Sequence, residues 1–345
     1  MTFKNLYNKL FEHYSNYTTS HIRFKDIIYT SKINRETIIP LSTKHIHNEL
    51  PIRLAHRINE LNLLPYGLSH NSNINLIRNW YLSSFEELIN LPKNYKDVEP
   101  FKYTIRNIYE RHSPTLTTLA KAIYEIKESG KPINLNILQD FLDKFHTNRT
   151  EIRILIQQYL KLFENDQPNH FGIINKYSSV ENTIDNAKNA INYICRKSDY
   201  EIDISKIIEI KGSGTLAFID NYLYYILFEI LKNSVQAVID SGKKHPKIKI
   251  TIQDISSYIY VTINDNGIGI LDKNLDKIWL YSFSTNPIPS KNILLTEDFS
   301  NHNPLSGFGY GLPISKIYLN FFDSFIKIES QYKIGTTTHL FLKKY

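Results

Sequence analysis

The spacing of apolar residues divides the chain into two parts with different predicted secondary structure. In the first part, apolar residues recur every three or four positions over residues 51–61, 74–91, 103–127 and 136–163. This spacing is typical of amphipathic helices. Prolines stand near the expected helix ends or starts, at Pro51, Pro92, Pro114 and Pro132, and Pro114 is expected to break the third segment. Long amphipathic helices joined by short polar loops predict an antiparallel helical bundle.

The pattern changes after the polar, proline-containing stretch NDQPN at residues 165–169. Apolar and polar residues now alternate over residues 247–253 and 258–264, which predicts strands, and residues 325–330 and 337–343 are also expected to be strands. Helical patterns intervene at 181–198, 222–241 and 312–322. Such an order predicts an α/β layer, a mixed sheet with helices on one side. We therefore expect two domains, residues 1–164 and 171–345.

Composition excludes some classes of protein. The 345 residues are enough for two hydrophobic cores, and 42% hydrophobic with 22% charged residues is ordinary for a soluble globular protein. The sequence contains no run of eighteen apolar residues, so it predicts no membrane span. The net charge of +7 suits nucleic acid, an acidic protein surface or a mitochondrial matrix. However, no Lys/Arg block is interleaved with aromatic residues, so nucleic acid is not favoured.

Two further features bear on the compartment. Cys195 is the only cysteine, which excludes an intramolecular disulfide and a cysteine metal cluster. The first residues, MTFKNLYNKLF, are apolar and basic. They fit either the tail of an amphipathic import signal or the first helix of the fold.

Candidate chemistry begins in the predicted helix at residues 222–241, in the segment EILKNSVQA (229–237). Glu229, Asn233 and Gln236 are spaced to share one flank, opposite an apolar stripe, and Lys232 lies beside them. These residue types suit an ATP–Mg²⁺ site: Asn233 as a Mg²⁺ ligand, Lys232 facing phosphate and Glu229 as a general base. A solvated helix face would give the same pattern.

Two glycine-containing segments complete the expected pocket. In NDNGIGI (264–270), Asp265 ends a predicted strand and would accept the adenine amino group, while Gly267 and Gly269 allow close backbone approach. An ordinary Asp-Asn-Gly turn is the alternative. In GFGYGLPIS (307–315), alternate glycines precede a predicted helix whose N-terminus would hold phosphate. The polar stretch 287–306 is expected to be a lid. Thr336 would support Asp265 through its hydroxyl, or is simply a turn residue.

These segments resemble the N, G1 and G2 boxes of the GHKL superfamily of ATPases and kinases, whose fold is a Bergerat α/β sandwich. The resemblance narrows to the mitochondrial pyruvate dehydrogenase and branched-chain 2-oxoacid dehydrogenase kinases. It rests on GFGYGLPISKIY, on YSFST at 281–285, and on the N-terminal segments HNELPIRLAHRINELNLLPYGLS (47–69), NWYLSSFEEL (79–88) and FLDKFHTNRTEIRILIQQY (141–159). The likeness therefore covers both predicted domains.

The resemblance implies a mitochondrial matrix protein kinase that phosphorylates serine on the decarboxylase α subunit of a 2-oxoacid dehydrogenase complex. It implies a homodimer that docks through its helical domain on the lipoyl domain of the acyltransferase core, with ATP, Mg²⁺ and K⁺ as candidate ligands. Catalytic roles would fall to Glu229, Lys232 and His112, and Asn233 would bind Mg²⁺. The ATP-binding residues would be Asn233, Asp265, Gly267, Gly269, Ser284, Thr285, Gly307, Phe308, Gly309, Tyr310, Gly311, Leu312 and Thr336.

The sequence also departs from the family pattern. Tyr225 stands where many animal pyruvate dehydrogenase kinases have a histidine one turn before the glutamate, and Gln236 stands where arginine is frequent. We expect pyruvate dehydrogenase as the target. Three alternatives remain: a branched-chain dehydrogenase kinase, a histidine kinase, and a non-catalytic ATP-binding regulator. For His112, the alternative to a catalytic role is that of an ordinary polar residue on a helix.

Overall fold

The computed structural model describes residues 11–20, 22–30, 33–93, 95–130, 134–164, 167–197, 203–285 and 309–345. These residues divide into two compact units. One unit takes the described residues up to 164 except 23–25. The other takes 23–25, 167–285 and 309–345. No helix within the described ranges is long and apolar enough to cross a membrane.

The first unit is helical, as predicted. After a short helix α1 (Phe24–Thr30), its elements are α2 (Arg35–Asn62), α3 (Ser72–Asn90), α4 (Glu99–Arg111), α5 (Thr115–Glu128) and α6 (Leu135–Lys161). Helix α2 packs against α3 and α6, α3 against α5, and α4 against α6. Asparagine side chains cap the N-termini of α2, α3 and α6 by accepting backbone N–H groups, at Asn34, Asn71 and Asn134.

The prediction that a helix begins at Pro51 is wrong. Pro40 and Pro51 both lie inside α2, which runs for 28 residues. A proline within a helix costs about 3 kcal/mol. The apolar face around and beyond Pro51, with Leu50, Leu54 and Ile58 almost fully buried, offsets that cost through packing. Pro114 does separate two helices, as expected, whereas Pro132 lies outside the described residues.

The second unit contains the predicted mixed sheet. Its helices are α7 (Val180–Lys197), α8 (Ile204–Ile207), α9 (Asp220–Ser241) and α10 (Gly311–Phe321). The large sheet has the strand order β3-β5-β6-β8-β7, formed by β3 (Ile208–Lys211), β5 (Ile248–Ile255), β6 (Tyr258–Asp265), β7 (Phe325–Gln331) and β8 (Gly335–Lys343). Only the β3–β5 pair is parallel among the described strands. Each predicted strand is present and one to two residues longer.

Alternation along the strands positions the core of this unit. Inward-facing residues such as Ile250, Val261 and Leu340 are buried, and the apolar side of α9 packs against β6 and β8. A smaller antiparallel sheet, β1 (His170–Phe171), β2 (Ile174–Ser179) and β4 (Thr215–Phe218), was not expected from the sequence. Strands β1 and β4, with two and four residues, are too short to show a period of two, and the six residues of β2, INKYSS, do not alternate between apolar and polar.

Candidate active site

Helix α9 presents its four candidate side chains to different environments. Glu229 is only 2% exposed, and its Oε2 lies 2.7 Å from the Nζ of Lys232, which is half-buried. Asn233 is exposed. Gln236 donates from Nε2 to Oδ1 of Asp240 at 2.8 Å. The three residues predicted to share one polar flank therefore differ in exposure: the Glu229 carboxylate is buried, whereas the Asn233 amide one turn later is exposed.

The Glu229 carboxylate lies against the start of α10. A Cβ atom built on Gly311 would be 2.9 Å from Cδ of Glu229 and closer still to its Oε2, so only glycine leaves room for the carboxylate there. Gly311 is the first residue of α10. Unpaired backbone N–H groups and the helix dipole favour negative charge at this end. The arrangement brings a buried base next to a place suited to phosphate.

Tyr225 lies one turn before this carboxylate on α9 and next to two further tyrosines. Burial, followed by the nearby charge of Glu229 and the neighbouring Tyr318 and Tyr281, raises the pKa of Tyr225 well above its ordinary value. The ring of Tyr225 packs edge-on against that of Tyr318, with the centroids 5.3 Å apart. The Tyr225 hydroxyl is buried without a hydrogen-bond partner among the described residues, although part of its ring reaches solvent. Tyr225 is therefore a neutral residue beside Glu229.

The carboxylate of Asp265 ends strand β6 and is 3% exposed. Its Oδ1 accepts the backbone N–H of Gly267 at 2.9 Å and that of Thr336 at 3.2 Å. Burial raises the pKa of Asp265, and hydrogen bonds from Gly267, Ser234 and Thr336 oppose that rise. A fixed, desolvated acceptor of this kind suits recognition of an amino group.

Thr336 meets Asp265 through its backbone, and its hydroxyl makes a different contact. The hydroxyl lies 2.8 Å from Oγ of Ser330, which also accepts the N–H of Ile270 at 2.8 Å. The expectation that the Thr336 hydroxyl supports Asp265 is therefore wrong. Residues Asp265 and Thr336 are directly paired across β6 and β8, and this register delivers the backbone N–H to the carboxylate.

Glycines bring the loop after β6 close to its neighbours. A Cβ on Gly267 would be 2.6 Å from the backbone carbon of Ala237 on α9, and the next residue, Ile268, donates its N–H to the Ala237 oxygen at 2.9 Å. Gly269 has a φ of +71°, in the left-handed region that glycine adopts without strain. These contacts dock the loop on the C-terminal half of α9.

The described part of the third segment forms the entry to α10. Gly309 has a φ of +73° and lies against the backbone of Phe283, so it joins the two segments that the sequence singled out. Tyr310 is fully buried, Leu312 is half-buried, and Ser284 and Thr285 are exposed. Burial raises the pKa of Tyr310. Gly307, Phe308 and the predicted lid at 287–306 lie outside the described residues.

His112 is a buried residue of the helical unit. Its Nε2 is 2.9 Å from Oγ of Ser84 and 3.4 Å from the carbonyl of Trp80, and its ring stacks on Tyr81 with centroids 4.3 Å apart. Burial lowers the pKa of His112 to about 3, so the imidazole is neutral at physiological pH. These contacts favour a packing role, and its catalytic role stays a prediction.

Three residues of the site carried no recognisable signal in the sequence. Ser234 bonds to Asp265 from α9, Ser330 holds the β7–β8 turn, and Lys243 donates to three backbone carbonyls around the Asp265 loop. Serine and lysine are common in turns and on helix surfaces. Only the tertiary fold brings them to the site.

The described residues can thus hold a purine nucleotide. Asp265 offers an acceptor for the base, the start of α10 offers donors for phosphate, and Glu229 offers a proton acceptor beside the start of α10. No cluster of three His, Cys, Asp or Glu residues that would hold a metal exists among the described residues. Mg²⁺ bound with nucleotide commonly takes one or two protein oxygens plus phosphates and waters, which the Asn233 amide fits.

Comparison with known proteins agrees with this picture. Residues 21–175 match the family model described as mitochondrial branched-chain alpha-ketoacid dehydrogenase kinase, and residues 219–345 match histidine kinase-, DNA gyrase B-, and HSP90-like ATPase. The mitochondrial [pyruvate dehydrogenase (acetyl-transferring)] kinase of Arabidopsis thaliana is 32% identical over 315 residues, 88% of this chain and 85% of that protein. Isozyme 3 of the kinase from Mus musculus is 29% identical over 354 residues, 97% of this chain and 83% of that protein.

Proposed function

The chain belongs to the GHKL family of mitochondrial pyruvate and branched-chain 2-oxoacid dehydrogenase kinases, and we propose that it is an ATP-dependent protein serine kinase whose target is the pyruvate dehydrogenase complex. Phosphorylation of the decarboxylase component would inactivate that complex. The observation that carries the proposal is the buried Glu229 carboxylate beside the start of α10, in a chain related over most of its length to kinases named for pyruvate dehydrogenase.

Nucleotide binding would use both ends of the site. The adenine amino group would donate to Asp265, whose Oδ1 is already fixed by two backbone N–H groups. The phosphates would lie along the glycine segment that leads into α10, with Gly309 and Gly311 among the described contacts. Asn233 would contribute an amide oxygen to Mg²⁺, which supplies charge neutralisation to the phosphates when bound.

Phosphoryl transfer depends mainly on positioning and charge stabilisation. Glu229 would take the proton from the attacking serine hydroxyl as the oxygen bonds to the γ-phosphorus and ADP leaves. Lys232, now 2.7 Å from Glu229, would turn its ammonium toward the phosphate. Burial of Glu229 excludes water from the proton acceptor. Tyr225, a neutral neighbour, cannot form the ionic histidine–glutamate pair that the family pattern would suggest.

The remaining parts of the proposal concern organisation. Residues 1–164 would form a regulatory domain that docks on the lipoyl domain of the acyltransferase core, and residues 171–345 would form the catalytic domain. We infer a location in the mitochondrion because the relatives are named as mitochondrial kinases. The matrix compartment and the homodimer are carried over from the family resemblance. K⁺ is carried over from the resemblance alone.

The test is transfer of radiolabelled γ-phosphate from ATP–Mg²⁺ to purified pyruvate and branched-chain dehydrogenase complexes. We expect acid-stable label on the decarboxylase α subunit of the pyruvate complex, with loss of its activity. Label on the branched-chain complex alone would assign the chain to that substrate. Acid-labile label on the chain itself would identify a histidine kinase, and ATP binding without label would identify a regulator.

A further inference from the structure

Lys243 lies just beyond the C-terminal end of α9, where the sequence contains two adjacent lysines. Its neighbour Gly242 closes the helix with a φ of +59°. From this turn the Nζ of Lys243 donates to the carbonyl of Asn266 at 2.7 Å, to that of Ile334 at 3.0 Å and, more weakly, to that of Gly267 at 3.4 Å. One ammonium group thus joins the loop after β6 to the turn between β7 and β8.

These two loops are the ones that hold Asp265. The peptide unit between Asn266 and Gly267 is bonded at both ends, because its carbonyl accepts from Lys243 and its N–H donates to Asp265. The second donor to Asp265, the N–H of Thr336, lies two residues after Ile334. A cation on the carbonyl of a peptide strengthens the bond that its N–H donates. Lys243 therefore acts on both sides of the carboxylate.

The contact is part of a wider connection between the same segments. Asn266 accepts the N–H of Lys247 at 2.8 Å and donates to the carbonyl of His245 at 2.8 Å. Lys333 donates its N–H to the carbonyl of Ile268 at 2.6 Å. Among these contacts, the ammonium of Lys243 supplies the positive charge that also opposes the raised pKa of Asp265.

We propose that Lys243 is a positioning residue for ATP binding, which fixes the two loops so that Asp265 meets the adenine amino group. The inference rests on the proposed function, since it requires Asp265 to bind the base. The described contacts of Lys243 are all with the loops around Asp265, so its contribution falls on nucleotide affinity and not on the chemical step. Lys243 and Lys244 are both exposed in the same turn, and no signal in the sequence separates them.

The test compares Lys243→Met with Lys244→Met in the full chain, by equilibrium titration with ATP and by steady-state phosphoryl transfer. We expect Lys243→Met to weaken ATP binding about three- to tenfold, the range of one or two modest hydrogen bonds. The KM for ATP should rise equally while kcat at saturating ATP stays unchanged. Lys244→Met should behave as the wild type. Lys243→Arg, which keeps the charge and the donors, should recover most of the affinity.

The outcomes separate this inference from the proposed function. Wild-type protein that fails to bind ATP would overturn the proposed function. Wild-type protein that binds ATP, with Lys243→Met binding equally well, would overturn the role of Lys243 alone. A loss of kcat together with a lower melting temperature in Lys243→Met would show a general structural role, which also contradicts the inference.

Discussion

Replacing Gly311 with alanine is expected to slow phosphoryl transfer by moving the Glu229 carboxylate. The new Cβ would stand 2.9 Å from Cδ of Glu229 and 3.3 Å from its Cγ. Ordinary carbon contacts are about 3.5–4.0 Å, so the carboxyl carbon must retreat by roughly 0.6–1.1 Å, and the Oε2 atom, which is closer still to the new Cβ, must retreat by more. A catalytic group displaced by about 1 Å can lose about a hundredfold in rate. We therefore expect kcat to fall about ten- to a hundredfold.

Protein stability should not explain this loss. Alanine is about 1 kcal/mol better than glycine within a helix, and Gly311 opens α10 without a positive φ. Asn320→Ala, at an exposed position near the other end of α10, controls for helix composition. Crowding of the buried carboxylate should cost Gly311→Ala about 1–3 kcal/mol of stability, and Asn320→Ala should melt close to the wild type. Turnover is therefore measured well below both melting temperatures, where only Gly311→Ala should lose it.

A double-mutant cycle decides whether the effect passes through Glu229. The assay measures kcat for γ-phosphate transfer to the purified dehydrogenase complex with ATP saturating. If Gly311→Ala acts by displacing the carboxylate, it should cost little in a Glu229→Gln background, because the base is already lost. An equal loss in both backgrounds, or full turnover in the single variant, would refute the reasoning.

Four other predictions concern the carboxylates and the helical unit. Glu229→Gln should retain ATP affinity in a binding titration and lose about 10²–10⁴ in kcat, whereas full activity would exclude a general base. Asp265→Ala should weaken ATP binding by about ten- to a hundredfold, the value of a hydrogen bond to a charged group. Because the pKa of Asp265 is raised in the folded state, this group favours folding at low pH. That contribution is lost as pH rises through the folded pKa, so the stability difference between wild type and Asp265→Asn, measured by urea unfolding, should shrink toward acid pH. Arg53→Met should destabilise the helical unit by about 3–5 kcal/mol in urea unfolding, because it removes the guanidinium that lies 3.0 Å from the buried Glu49 carboxylate and 2.6 Å from the buried Glu151 carboxylate. A loss below about 1 kcal/mol would mean that water or other contacts compensate both acids.

The long strands and helices were predictable because their hydrophobic period is repeated several times. Strand β5 alternates over Ile248–Gln253, the burial of β6 alternates over all eight residues, and α9 keeps an apolar stripe over 22 residues. Helix α2 was only half predicted, since Pro40 and Pro51 carry a local signal against a helix that burial overrides. The prolines affect one bond each, whereas packing acts along the whole helix.

The candidate site was predictable at the level of residue type but not of contact. Glu229, Asp265 and the glycines follow from spacing and from chemistry. The side of Thr336 that meets Asp265 depends on the register of β6 against β8, which no local pattern contains. In the same way, Lys243 and Lys244 are equivalent in sequence, and only the three carbonyls around Lys243 distinguish them.

Two glycines explain why three distant segments form one site. Gly267 lets the Asp265 loop touch Ala237, and Gly311 lets the start of α10 touch Glu229, so both later segments dock on the same helix, α9. In each case a side chain would collide with α9 before any nucleotide is present. The glycine spacing that suggested phosphate binding is therefore also required by close packing. In this chain, the glycines mark the places where the loop after β6 and the start of α10 pack closely on α9. The proposed nucleotide site lies where these three segments meet.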